Sequence, residues 1–213
     1  MKTMILMLAA AAIAWPQCSA EIPLVVDNFT SGNTYYRTIE TPDESDVGFQ
    51  SGSMAGGYRR TVFFVSTNPL NEPGTVDLRR TPAIIRMGPK VNWGAEFFYG
   101  LEAEGVFVPM NLDLTGCNHF RVTADSTDLG FQLLIFVYTT ELTRLATVQV
   151  FVPPSPTLID STVVVDIPFT SFSGKEAIDW RDIDFIAVNL RSGGPVAGDD
   201  ISLSSIAVVS ISD

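Results

Sequence analysis

Residues 166–209 read DIPFTSFSGKEAIDWRDIDFIAVNLRSGGPVAGDDISLSSIAVV. Two apolar runs stand out, DIDFIAVNL (182–190) and ISLSSIAVV (201–209), joined by a glycine- and proline-bearing loop that ends in Asp199-Asp200. Both runs are short, rich in Ile, Val and Phe, and bounded by turn residues, which is the signature of strands. The first begins by alternating and then becomes apolar throughout. The second changes phase at Ser204-Ser205, where a bulge is expected.

The same pattern continues outward along the chain. IPLVVDNF (22–29), RRTVFFVS (59–66), AIIRMG (83–88) and WGAEFFYG (93–100) precede NHFRVTA (118–124), FQLLIFVYT (131–139), LATVQVFV (145–152) and STVVVDIPF (161–169). Helical periodicity is nearly absent. About ten strands at this spacing predict an all-β fold, an antiparallel two-sheet β-sandwich or jelly roll. Phe120, Val122 and Ala124 alternate with Arg121, Thr123 and Asp125, as in a half-buried antiparallel strand. FQLLIFVY is apolar on both faces and reads as a central strand covered on both sides. SGSMAGGYRR (51–60) lacks the Lys-Ser/Thr of a phosphate loop and precedes a strand, so it reads as a turn that uses positive φ. DSTDLG (125–130) reads as a hairpin turn.

The chain opens MKTMILMLAAAAIAWPQCSA. A lysine, a short apolar run and small residues at Cys18, Ser19 and Ala20 predict a secretory signal over residues 1–20, cleaved after Ala20. A single domain, 21–213, would then be secreted, or held in the periplasm or cell envelope. Cys18 would leave with the leader, so Cys117 is expected as a lone thiol with no disulfide. Asp and Glu number 24 against 13 Lys and Arg, for a net charge of −11. That balance, scattered along the chain, argues against nucleic acid and anionic membranes as partners.

Catalytic material is sparse. Cys117 and His119 share one face of a strand, but one thiol and one imidazole are too few for a zinc site, and at a strand end they read as structural. Glycoside hydrolysis needs two carboxylates, for which Glu96, Glu102 and Glu104 are available. VNWGAEFFYG (91–100) offers a binding alternative. Trp93 and Tyr99 lie on one strand face, and Asn92 and Glu96 supply nearby polar groups, the composition of a ligand site on a concave sheet. The rival reading makes that aromatic face the core.

PFTSF (168–172), DWRDIDFIAVNL (179–190) and GDDISLSSIAV (198–208) together resemble the closing strands of galactose-binding-like jelly rolls, many carbohydrate-binding modules among them. NLDLTGCNHFRVTAD (111–125) resembles the turn by which that family enters a sheet strand. VVDNFTSG (25–32) with GSMAGGYRRT (52–61) resembles the opening of secreted bacterial proteins of this type. The resemblance implies a non-catalytic module binding carbohydrate or a similar extracellular-matrix ligand. It also implies a last strand beside the first, with a structural calcium near that junction. Asp27, Asp199 and Asp200 are the carboxylates for such a site, which would need backbone oxygens to reach about six to eight ligands. The alternative for Asp199-Asp200 is a polar turn. The alternative functions are an envelope or matrix structural protein that binds other proteins, and a glycoside-active enzyme.

Overall fold

Strand alternation separates an inward from an outward set of side chains in almost every element, and two sheets close over the inward set. The computed structural model describes residues 23–102, 105–139, 142–155, 162–192 and 200–212. The expected leader and Asp199 therefore lie outside the described residues. The strands are β1 (Leu24–Asp27), β2 (Tyr36–Ile39), β3 (Glu44–Ser51), β4 (Tyr58–Thr67), β5 (Gly74–Asp77), β6 (Ala83–Met87) and β7 (Asn92–Tyr99). They continue with β8 (His119–Thr127), β9 (Phe131–Thr139), β10 (Arg144–Val152), β11 (Val163–Pro168), β12 (Phe185–Ser192) and β13 (Asp200–Val209).

A front sheet of six strands runs β10-β9-β12-β7-β4-β3. A back sheet of seven runs β11-β8-β13-β6-β5-β2, with β1 also on β13. Every pairing is antiparallel. The fold is the expected all-β two-sheet sandwich. The strands missing from the sequence reading are β2, β3 and β5, which are short or polar: ESDVGFQS presents only Gln50 to the buried side. The last strand does lie beside the first, and Ser204 is the extra residue where β13 shifts register against β8. Gly56 and Gly57 take φ values of 73° and 76° in the turn before β4. Among the described residues, no helix is long and apolar enough to cross a membrane.

Three expectations change. DSTDLG is not a hairpin turn, because β8 belongs to the back sheet and β9 to the front, so the chain crosses between sheets there. β9 is not covered on both sides. Phe131, Leu133, Ile135 and Val137 are buried in the sandwich, whereas Gln132, Leu134, Phe136 and Tyr138 are half-buried on the outer face. Cys117 is disulfide-bonded rather than a free thiol. The chain's other cysteine, Cys18, lies outside the described residues, and cleavage after Ala20 would remove it.

One polar cluster crosses the core. Arg59 on β4 donates from Nη1 to Asp27 Oδ2 on β1 at 2.6 Å, and Tyr99 on β7 donates its hydroxyl to the same oxygen at 3.0 Å. The Phe29 amide donates to Asp27 Oδ1 at 2.7 Å, and Arg59 Nε donates to Gln50 Oε1 at 3.0 Å. Both charged side chains are buried, so the pair is partnered on all sides and ties the back sheet to the front. Burial, and then the Asp27 charge, push the Tyr99 hydroxyl well above its ordinary pKa and keep it a donor.

Candidate ligand face on the front sheet

β7 decides which side chains a ligand could meet. Trp93, Ala95, Phe97 and Tyr99 point into the core, and Asn92, Gly94, Glu96 and Phe98 point out. Trp93 is 1% exposed and Tyr99 0%, so neither ring has a face to offer. The expected site at Trp93 and Tyr99 is thus corrected, because the heavier apolar set of the strand went to the core. Asn92 and Glu96 lie on the opposite, outer face, away from the two rings they were expected to serve.

Of the expected calcium ligands, Asp199 lies outside the described residues, and Asp27 and Asp200 are not brought together. Asp27 pairs with Ile206, whereas Asp200 opens β13 six residues earlier. At strand rise that is roughly 20 Å. The Asp27 carboxylate already faces the guanidinium of Arg59. Asp200 sits instead beside Asp128, whose Oδ1 accepts from the Asp200 amide at 2.8 Å. Burial, and then the Asp128 charge, raise the Asp200 pKa. Among the described residues, no group of three or more His, Cys, Asp or Glu could hold a metal ion.

The outer face of the front sheet gathers aromatic rings. Register places Phe98 on β7 beside Ala187 on β12, Ala187 beside Phe136 on β9, and Phe185 beside Tyr138. Phe98 and Phe185 have centroids 6.0 Å apart, and Tyr138 meets Phe185 edge-on at 5.5 Å. With Ala187 and Asn189, these rings line a hollow of about 180 Å³. Arg60 on β4 lays its guanidinium 5.3 Å from the Phe98 ring and 6.0 Å from Phe49. Four residues further along the two strands, the Phe64 ring covers Gly94, where a Cβ would come within 2.3 Å of Phe64 Cζ. Glycine in mid-strand makes room for the ring to approach the sheet backbone.

A row of polar groups borders these rings. Asn189 Nδ2 donates to Glu96 Oε1 at 3.2 Å, and Arg191 Nη2 donates to the same oxygen at 3.4 Å. Asn189 is 6% exposed, yet its Oδ1 has no hydrogen-bond partner; nor does the buried Nε of Arg60. Buried polar atoms are normally paired, and of these two residues Asn189 lines the hollow, so its oxygen is an acceptor lacking a partner there among the described residues. Further along the face, Gln149 donates to Gln132 at 3.1 Å.

Among the described residues, no second carboxylate is a sheet neighbour of Glu96. The side chains flanking Glu96 across the sheet are Val62 and Asn189, and Gly94 and Phe98 flank it along the strand. Glu102 is exposed, and Glu104 lies outside the described residues. His119 Nδ1 is 2.6 Å from Asn118 Oδ1, so that ring nitrogen is engaged with its sequence neighbour rather than with Cys117.

The residues missed in the sequence are Phe64, Phe98, Phe136, Phe185 and Asn189. Trp93 and Tyr99 are the conspicuous aromatics of β7, whereas Phe98 lies on the opposite strand face. Two signals for them were present: the mid-strand Gly94, and the two-sided apolarity of FQLLIFVY.

No protein-family profile matches the chain, and no curated protein does. Solved structures with similar folds include the family 11 carbohydrate-binding module from Clostridium thermocellum in complex with a β-1,3-1,4-mixed-linked tetrasaccharide. It has 12% identity and a TM-score of 0.43, over 88% of this chain and 95% of that one. The family 11 carbohydrate-binding module of a cellulosomal cellulase of Clostridium thermocellum is similar at 13% identity and a TM-score of 0.43, over 89% of this chain and 95% of that one.

Proposed function

We propose that the chain is a non-catalytic binding module for neutral carbohydrate, with the outer face of the front sheet as its binding face. One observation carries this reading: open hydrogen-bonding atoms of Asn189 and Arg60 lie within a surface of aromatic rings. A pyranose has apolar C–H faces and a rim of hydroxyls that both donate and accept. Phe64 and Phe98 supply stacking surface for the former, and Asn189 Oδ1 is an acceptor for the latter. A carbohydrate ligand and an acidic chain agree with a place outside the cytoplasm, which the signal-like opening of the sequence also favours.

The rival reading, a structural protein whose outer face is covered by another protein, is separated by a glycan array probed with the mature chain. Binding to a defined neutral glycan, weakened by Phe64→Ala, supports the module. A blank array, with Phe64→Ala unchanged in every property, favours the rival.

A further inference from the structure

The outer face of the back sheet holds a second hollow, of about 310 Å³, lined by Tyr36, Thr75, Asp77, Ile84 and the arginines Arg79, Arg80 and Arg86. Thr75 and Asp77 come from β5, Ile84 and Arg86 from β6, and Tyr36 from β2. Register sets Tyr36 beside Asp77, Asp77 beside Ile84, and Thr75 beside Arg86. Arg79 and Arg80 follow β5 in the loop that leads to β6.

This chain has only 13 Lys and Arg against 24 acids, and three of the 13 converge on this hollow. The three are not equivalent. Arg79 is spent internally: Nε and Nη2 donate to the two oxygens of Asp77, each at 2.9 Å, and its guanidinium lies 3.9 Å from the Tyr36 ring centroid. That fork fixes the wall of the hollow and holds the Asp77 carboxyl below its ordinary pKa. Arg80 and Arg86 belong to none of the ion pairs among the described residues, and neither donates a side-chain hydrogen bond there. Asp200 is the register neighbour of Arg86 on β13 but forms no ion pair with it. Two guanidinium groups thus stand at the hollow without a direct ion pair, Arg80 in the field of the already paired Asp77 and Arg86 in that of its neighbour Asp200.

We infer that this hollow binds a sugar acid, with Arg80 and Arg86 holding the carboxylate. Guanidinium forks match a carboxylate in planarity and spacing. The volume lies at the low end for small-molecule sites and exceeds what a bare inorganic anion would fill. Ile84 and the edge of Tyr36 supply apolar surface for the ring that carries the acid, and Thr75 supplies a hydroxyl. The site is on the opposite sheet from the neutral face and does not depend on it.

The test is a titration of the isotope-labelled mature chain, following arginine Nε–Hε resonances, with glucuronate, glucose and inorganic sulfate as separate probes. Saturable glucuronate shifts at Arg80 and Arg86 are expected, with a dissociation constant on the order of 1 mM. Glucose should cause none, and sulfate should bind more weakly. Arg80→Gln with Arg86→Gln should weaken glucuronate at least about tenfold at an unchanged melting temperature. Glucuronate shifts that persist in that double variant, or that glucose reproduces, overturn the assignment. Sulfate binding as tight as glucuronate overturns the sugar-acid ligand. None of these outcomes bears on the neutral face, because Phe64 and Asn189 are unchanged throughout.

Discussion

The two outer faces of this sandwich are built by the same alternation and carry opposite chemistry. On the front sheet, the outward positions of β4, β7, β9 and β12 hold Phe64, Phe98, Phe136 and Phe185 beside an amide with an open oxygen. On the back sheet, the outward positions of β2, β5 and β6 hold Tyr36, Thr75, Asp77 and Arg86, with two more arginines folded in from the loop. Beneath both lies one core, crossed by the Asp27–Arg59 pair that joins β1 to β4. The contrast teaches that inward residues specify this fold, whereas function is written in the outward set, where the sequence is free to differ. Changes to the core should therefore damage both faces together, and changes on either face should stay local.

The largest effect belongs to the joint between the sheets. Arg59→Met leaves the Asp27 carboxylate buried without its cation. Breaking such a pair costs about 3–5 kcal/mol. At this chain length the unfolding midpoint should fall by on the order of 10 °C. Calorimetry that finds less than a tenth of that drop would show the two sheets to be held without the pair.

Next come substitutions confined to the front face. Phe64→Ala and Asn189→Leu should each weaken binding of a neutral glycan by roughly tenfold or more, because each removes about 1.4 kcal/mol or more of contact. Binding at the arginine hollow should be untouched. Gly94→Ala should act like Phe64→Ala, since the new methyl group displaces the Phe64 ring from the sheet. Isothermal titration on the three variants measures this. Affinity unchanged from that of the unaltered chain in all three would place the ligand elsewhere.

The smallest effect concerns Asp200. Its folded-state pKa is raised, by burial first and then by Asp128. The ionised form is therefore disfavoured in the fold, and the penalty is present above that pKa and vanishes as pH falls below the unfolded value. Asp200→Asn should raise the midpoint by no more than a few degrees at pH 7, with the advantage disappearing in acid. A midpoint that rises equally at both pH values would point to packing rather than charge. Calcium and chelator should give equal midpoints, because Asp27 is committed to Arg59 and stands far from Asp200. A rise in calcium that Asp200→Ala abolishes would restore the metal.

How much of this was legible follows from the same division. The long apolar strands, the bulge at Ser204 and the pairing of first with last strand could be read from periodicity and resemblance. The side of β7 that faces the core could not, since Trp93, Phe97 and Tyr99 compete with Phe98 in a strand aromatic on both faces. Asp27 read as a ligand because the resemblance puts a structural calcium where the first strand meets the last, and Asp27 is the acid the first strand brings there. Only the fold brings Arg59, 32 residues on, against it. The arginine hollow was equally hidden, because Arg80 and Arg86 are adjacent only through the β5–β6 pairing and its loop.

The most direct test of the account is a glycan array probed in parallel with three forms of the mature chain: unaltered, Phe64→Ala with Asn189→Leu, and Arg80→Gln with Arg86→Gln. The unaltered chain should bind at least one neutral glycan, the front-face pair should lose it, and the back-face pair should keep it. Neutral-glycan binding that survives the front-face pair, or its absence from the unaltered chain, would contradict the account.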